Sequence, residues 1–379
     1  MMHLDQARVA LVHDWLTGMR GGEKCLEALC EIFPHADIFT LLHVPGSVAA
    51  GIERHHITTS FVQRLPDAAR GYRRYLPLFP RAIESLQLRD YDLVVSSSHC
   101  VAKGVPVPAG ALHVCYCHTP MRYVWDRFDD YFGRGRAGLV TRCAARLARR
   151  PLQRWDVQSA RGVHRFIANS ATVRDRIHRH YRRNDTVIIH PPVDCARFAP
   201  APGPVEDYFL VVGALSGYKR VDVAITAAQR AGVRLVVVGD GPDRSRLERQ
   251  AKDAPIEFRA WQSDADLARL FGRCRALLFP GVEDFGITPV EVMASGRPVI
   301  ALAAGGALET VIEGTTGIFV RSTDPDAWAE VLRAFRDDRF DRDVMRQHAL
   351  RFDRPRYVRA MRSELVRLWE AYSSTRRAQ

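Results

Sequence analysis

Residues 279–296 read FPGVEDFGITPVEVMASG. The apolar run Ala276, Leu277, Leu278 and Phe279, closed by Pro280 and Gly281, has the pattern of a buried strand ending in a turn. Glu283, Asp284, Phe285 and Gly286 make a short acidic loop. Thr288 followed by Pro289 predicts a helix start, with threonine as the N-cap and proline in the first helical position. Strand, loop and helix in this order are the building unit of an α/β fold.

The loop also carries chemistry. The N–H groups of Gly286, Ile287 and Thr288, with the positive end of the helix dipole, favour an anion. Glu283 in the loop and Glu291 in the first turn place a carboxylate on either side of it. That combination suits a ligand with both phosphate and many hydroxyls, such as a sugar nucleotide. The plain alternatives are that Thr288-x-x-Glu291 is a capping box serving its own helix and that Glu283 is a solvated acid. Spacing alone leaves both readings open.

The same alternation of short apolar strands and longer helices runs outward in both directions. Before the stretch lie strands at 208–213 and 234–239, and after it one near 298–302. A first series has strands at 7–13, 37–42, 91–98, 112–117, 165–169 and 186–190. Residues 54–89 look irregular, aromatic and basic. The proline-rich run 199–204 (APAPGP) reads as a stiff linker. The expected architecture is α/β: two doubly wound Rossmann-like domains of mostly parallel sheet facing a central cleft, with ligands at the strand C-termini. Domain ranges of 1–198 and 205–355 follow. The amphipathic helix over 356–379 is expected to pack back on the first domain.

With 379 residues and 47% apolar composition, the chain is long enough for two cores. No apolar run reaches about 18 residues, so no spanning helix is expected. No secretory leader is evident, and the eight scattered cysteines fit a reducing cytoplasm. The net charge is +12, and only four of the 55 basic residues are lysine (Lys24, Lys103, Lys219, Lys252). From Arg134 to Arg165 nine arginines stand against one acid, Asp156, with leucines interleaved. This pattern suits an anionic membrane surface. A solvated arginine-rich helix is the plain alternative, and nucleic acid is not the expected partner.

In the first series, a strand delivers Gly18, Gly21 and Gly22 to a helix start, the way α/β folds hold phosphates. The glycines could equally serve turn geometry alone. His118 follows a strand's C-terminal end, where such sheets bind ligands.

These residues resemble the retaining glycosyltransferases of family 4, which have the GT-B fold. The carriers are Glu283-x7-Glu291, Tyr218-Lys219-Arg220-Val221-Asp222, Gly239-Asp240-Gly241-Pro242 and Gly305-Gly306-Ala307-Leu308-Glu309. In the first half they are Val12-His13-Asp14-Trp15, Gly21-Gly22-Glu23 and Cys117-His118-Thr119-Pro120. The likeness extends to O-antigen and exopolysaccharide mannosyltransferases that use GDP-mannose. The resemblance implies transfer of a hexose, mannose from GDP-mannose, to a glycan or lipid-linked glycan acceptor, with retention of configuration. In that reading His118, Lys219 and Glu283 are catalytic. Gly21, Gly22, Arg220, Gly286, Ile287, Thr288 and Glu291 bind the donor. No cofactor beyond the nucleotide sugar and no metal are expected. The enzyme would work in the cytoplasm, peripheral to the inner face of the membrane. The alternatives are a nucleotide-sugar epimerase on the same fold and a non-catalytic basic binding protein.

One departure stands out. The family pattern has an arginine five residues before the lysine, and here that position is Ala214. Arg220 or Arg20 is a candidate substitute. Trp261 stands near the expected nucleobase position.

Overall fold

The computed structural model describes residues 3–133, 138–200 and 203–377. Arg134 and Arg136 of the basic run, and Ala201 and Pro202 of the proline-rich run, lie outside them. The chain forms two compact units, residues 1–192 with 355–379, and residues 193–354.

The first unit holds a seven-stranded sheet of β1 (Val9–His13), β2 (Asp37–Thr40), β3 (Ile57–Thr59), β4 (Leu93–Ser98), β5 (Leu112–Cys117), β6 (Arg165–Ala168) and β7 (Val187–Ile188). Its order is β3-β2-β1-β4-β5-β6-β7, and every pairing is parallel. Strands of this kind are apolar on both faces because helices cover both. Thus Val9 and Leu11 pack with one cluster, and Ala10 and Val12 with another on the opposite face. Helix α1 (Gly21–Ile32) covers the first face. On the basic run lies α2 (Leu139–Ser159), with Pro151 inside it.

The second unit repeats the plan with β8 (Phe209–Val212), β9 (Leu235–Val238), β10 (Ile256–Arg259), β11 (Leu277–Phe279), β12 (Val299–Leu302) and β13 (Gly317–Val320), in the order β10-β9-β8-β11-β12-β13. Its site-bearing helices are α3 (Val221–Ala231) and α4 (Ile287–Ala294). The last helix, α5 (Arg354–Arg377), lies on the first unit. Tyr357, Met361, Leu365, Leu368 and Trp369 form one stripe buried in the core shared with Leu11, Leu26 and Leu29.

Two details differ from the sequence reading. The first unit ends at Pro192 rather than near 198, because Val193, Cys195 and Phe198 are buried in the second core. Residues 54–89 are not irregular but a series of short helices and one edge strand. Tyr72, Leu76 and Phe79 are buried there against Trp15.

Two buried histidines, His113 and His118, and the partly exposed His99 set an acid limit. Burial drives the rings of His99 and His118 well below the usual histidine range, with neighbouring histidines adding to it. Burial, with smaller contributions from His164 and Lys103, outweighs the Gly162 carbonyl to bring His113 to about 3. As pH falls, the unfolded chain protonates first, so stability is complete above the ordinary value of 6.5 and declines below it. His113 alone is expected to remove about 1.4 kcal/mol per pH unit until its own pKa is reached. Urea midpoints should therefore fall steadily as pH drops from about 6.5 toward 4. A flat midpoint that His113→Gln leaves unchanged would contradict this.

Candidate active site

In both sheets the strand order reverses beside the first strand, between β1 and β4 and between β8 and β11. Open α/β sheets bind ligands at the C-terminal ends of strands at such a switch point. Polar side chains gather at both.

In the first unit β1 ends on His13, β4 runs into His99, and β5 runs into His118. Ser97 pairs in register with His13 across the β1–β4 ladder. The Ser97 hydroxyl lies 3.1 Å from His13 Nδ1 and 2.8 Å from His118 Nε2. Glu23, in the first turn of α1, accepts the Arg20 N–H at 3.1 Å and stands 3.9 Å from His13 Nε2. Burial by itself raises the Glu23 carboxyl, yet its contacts with His13 and His99 hold it below its ordinary value.

Asp14 organises the neighbouring turn. Its carboxylate accepts the N–H groups of His99, Cys100, Val101 and Ala102 at 2.6–3.0 Å. It also meets His99 Nδ1 at 3.0 Å. Among the described residues no His, Cys, Asp and Glu group is placed to hold a metal ion.

The Gly22 alternatives resolve here. It does not have a positive φ, so turn geometry does not require glycine. Instead a Cβ there would stand 3.3 Å from His13 Cε1 and 3.7 Å from His118 Nε2. A side chain would fill the space over the histidines. Gly21 opens the same helix.

In the second unit Lys219 follows β8 and Glu283 follows β11, and Lys219 Nζ is ion-paired with Glu283 Oε1. The loops carrying them touch. A Cβ on Gly281 would come within 2.7 Å of Lys219 Cα and the Tyr218 carbonyl. On the other side, Gly306 N–H donates to the Glu283 carbonyl at 2.8 Å. A Cβ on Gly305 would lie 2.5 Å from that oxygen. The glycines thus clamp the Glu283 backbone between two turns.

The start of α4 corrects the sequence reading. Its N-cap is Gly286, with φ of 86°, and not Thr288. The left-handed glycine turns the chain into the helix two residues early, so Ile287 and Thr288 are the first helical residues and Pro289 the third. A capping box built on Thr288 is therefore excluded. Pro289 remains in the first turn, where its missing N–H costs no intrahelical bond. Glu291 is buried on the same helix.

Arg220 takes the left-handed conformation, φ 51°, at the start of α3 and directs its guanidinium to Asp222 at 3.3 Å. Ala214 lines a small cavity together with Gly213, Lys219, Phe279, Gly281 and Glu283. The position of the missing arginine is therefore beside the lysine. Arg20 and Trp261 are exposed.

Of the predicted residues, the structure groups Gly22 with His118 in the first unit and Lys219 with Glu283 in the second. Gly286, Ile287, Thr288 and Glu291 sit on the helix that follows Glu283. Sequence reasoning assigned no role to His13, Ser97, His99, Asp14 or Glu23. The signal for His13, Asp14, Ser97 and His99 was a polar residue at or just past the end of an apolar strand, and for Glu23 an acid in the first turn of a helix.

Both units match known family models. The model for Glycosyltransferase Family 4 matches residues 19–197, and that for Glycosyl transferases group 1 matches residues 196–352. The chain belongs to glycosyltransferase family 4. This family 4 protein is similar to a D-inositol 3-phosphate glycosyltransferase of Streptomyces avermitilis, 32% identical over 216 residues, 48% of this chain and 46% of that protein. It is also similar to alpha-1,3/1,6-mannosyltransferase ALG2 of Rhizomucor pusillus, 42% identical over 97 residues, 25% and 21% of the two chains. The chain spans about half, or less, of the length of these curated relatives. Its fold is that of Anabaena HepE in a crystal structure with UDP and glucose, with a TM-score of 0.72, 17% identity and coverage of 95% and 99%. The two doubly wound units are the GT-B architecture.

Proposed function

We propose that this family 4 protein transfers a hexose, mannose from GDP-mannose, to a glycan or lipid-linked glycan acceptor in surface polysaccharide synthesis, with retention and without a metal ion. The ion pair of Lys219 and Glu283 at the β8–β11 switch point, beside the N-terminus of α4, carries this reading. Lys219 and the first N–H groups of α4 would meet the diphosphate, which carries the charge that grows as the sugar leaves. Glu283 would turn to the sugar hydroxyls, and Glu291 to the ribose. His118 would contact the transferred sugar. The activities of the relatives, a D-inositol 3-phosphate glycosyltransferase and a mannosyltransferase, support the reaction class. The protein's contribution would be positioning and charge stabilisation, with the leaving phosphate taking the acceptor's proton.

The test is calorimetric titration with GDP, UDP, ADP and their sugar conjugates, without added metal, followed by product analysis. Micromolar binding with one preferred base and acceptor-dependent turnover would support the reading. Conversion of the donor alone would point to an epimerase. No binding would favour a non-catalytic role. Ala214→Arg is expected to tighten nucleotide diphosphate binding about tenfold, by adding a charged hydrogen-bond donor beside Lys219. A sharp loss of affinity would show that another group already occupies that place.

We also infer that α2 meets an anionic membrane surface. Leu139 and Leu147 are 72% and 80% exposed, and Arg146, Arg150 and Arg154 are exposed on the same helix. Two other arginines of the run turn inward: Arg149 donates to the Val124 carbonyl and Arg165 to that of Asp185. No described helix is long and apolar enough to cross a membrane. Charge reversal at Arg146, Arg150 and Arg154 together should weaken co-sedimentation with phosphatidylserine vesicles roughly 100-fold. Equal binding to neutral vesicles would count against it.

A further inference from the structure

The polar groups of the first unit form a line: Glu23, His13, Ser97, His118. His13 is wholly buried. Its Nε2 faces Glu23 Oε1 at 3.9 Å, beyond hydrogen-bond distance, and makes no hydrogen bond with any described group. Its Nδ1 meets the Ser97 hydroxyl, which meets His118 Nε2. Each of the two hydrogen-bonded links holds one hydrogen, so their direction follows from the charge that faces the inner end.

We propose that Glu23, His13 and Ser97 are positioning residues, a buried wire that holds His118 with the hydrogen on Nε2, so that its bare Nδ1 accepts a hydroxyl hydrogen of the bound sugar. The argument begins at the carboxylate, which only accepts. A lone pair facing it would be repelled, so His13 carries its hydrogen on Nε2 and accepts at Nδ1. Ser97 therefore donates to His13. Having given its single hydrogen, its oxygen accepts from His118 Nε2–H. The second nitrogen of His118, Nδ1, is left as an acceptor. Burial, the largest cause, keeps the His118 ring neutral, as this pattern needs. Gly22 leaves open the space beside His13 and His118.

The identity of the hydroxyl as the sugar's rests on the functional reading above, but the wire itself does not. The two are separated by measuring the tautomer without ligand. In protein labelled with 15N-histidine, long-range proton–nitrogen spectra distinguish the two neutral tautomers, and loss of one signal set in His118→Gln assigns the residue. The wild type is expected to show His118 protonated on Nε2 only. Glu23→Gln should reverse the line: the amide oxygen keeps the Arg20 N–H, and its NH2 group then donates to His13 Nε2. His118 should then carry its hydrogen on Nδ1. Affinity for the sugar-bearing donor should fall about tenfold for one lost hydrogen bond, with affinity for the nucleotide diphosphate alone unchanged. Ser97→Ala should give mixed tautomers, and Ser97→Thr should restore the wild-type one. A wild-type His118 protonated on Nδ1 would overturn the proposal. So would an unchanged tautomer in both Glu23→Gln and Ser97→Ala. If the tautomers behave as stated and no sugar nucleotide binds, the wire stands and the functional reading falls.

Discussion

Glu283→Ala is expected to lower transfer by about 100- to 1,000-fold, the effect of removing one preorganised polar group from a transfer site. The fold should survive. The Gly306 N–H bonds the Glu283 backbone carbonyl, and the flanking glycines clamp that same backbone. None of this involves the side chain. What is lost in the free protein is the contact with Lys219. Both side chains are mostly buried, at 16% and 19% exposure, so the stability change should be about 1–2 kcal/mol. The informative comparison is Glu283→Gln, which keeps shape and one acceptor but not the charge. If Glu283 acts on the sugar, both variants should still bind the nucleotide diphosphate, and the loss should appear with the sugar-bearing donor. A Glu283→Ala protein with normal turnover would remove Glu283 from the site.

The largest stability effect is expected in the first unit. Asp156→Ala should destabilise the first unit by about 3–5 kcal/mol, the cost of leaving a buried charge without its partner. For a unit of this size that is roughly 10 °C in the thermal midpoint. Asp156 is fully buried. One oxygen accepts from Lys103 Nζ at 2.5 Å. The other accepts from Trp125 Nε1 at 2.8 Å and the Tyr181 hydroxyl at 2.9 Å. Lys103 is equally enclosed. It donates to Ser159 at 3.0 Å and lies over the rings of Trp155 and Tyr181. The pair thus joins the turn after β4 to α2 and to the helix that carries Tyr181. The double change Lys103→Met with Asp156→Leu should cost less than the sum of the single changes, because no lone charge remains. Calorimetric melting of the three variants checks this. Additive losses would show that the two residues act independently.

This pair also marks where sequence reading stops. Asp156 is the one acid in a run of nine arginines, and by composition it is a minor feature of a basic helix. In the fold it faces inward and takes a lysine. In the helix Leu152 and Asp156 share a face, being four residues apart. That spacing could not say that Lys103, 53 positions away, waits on the other side.

The start of α4 is a second instance. Thr288-Pro289 has the form of an N-cap followed by a first-turn proline, and the helix does begin there. The exact boundary depends on Gly286 adopting φ of 86°. Both glycine and threonine are acceptable before a helix, so local propensity does not choose between them. Phe285 decides it by being buried in the second core, which brings the chain round at Gly286.

By itself the sequence determined the strands and helices, their alternation and hence parallel sheets covered on both faces. Those follow from short continuous apolar runs and from apolar spacings of three to four residues, which are local. It also determined the glycine turns and strand ends where polar residues collect. Only the tertiary structure decided which of those ends adjoin. His13 and Ser97 are 84 residues apart, Ser97 and His118 21, and Lys219 and Glu283 64. They meet because β4 lies between β1 and β5, and β11 lies against β8. Strand order is set by how whole layers pack, and no periodicity along the chain encodes it.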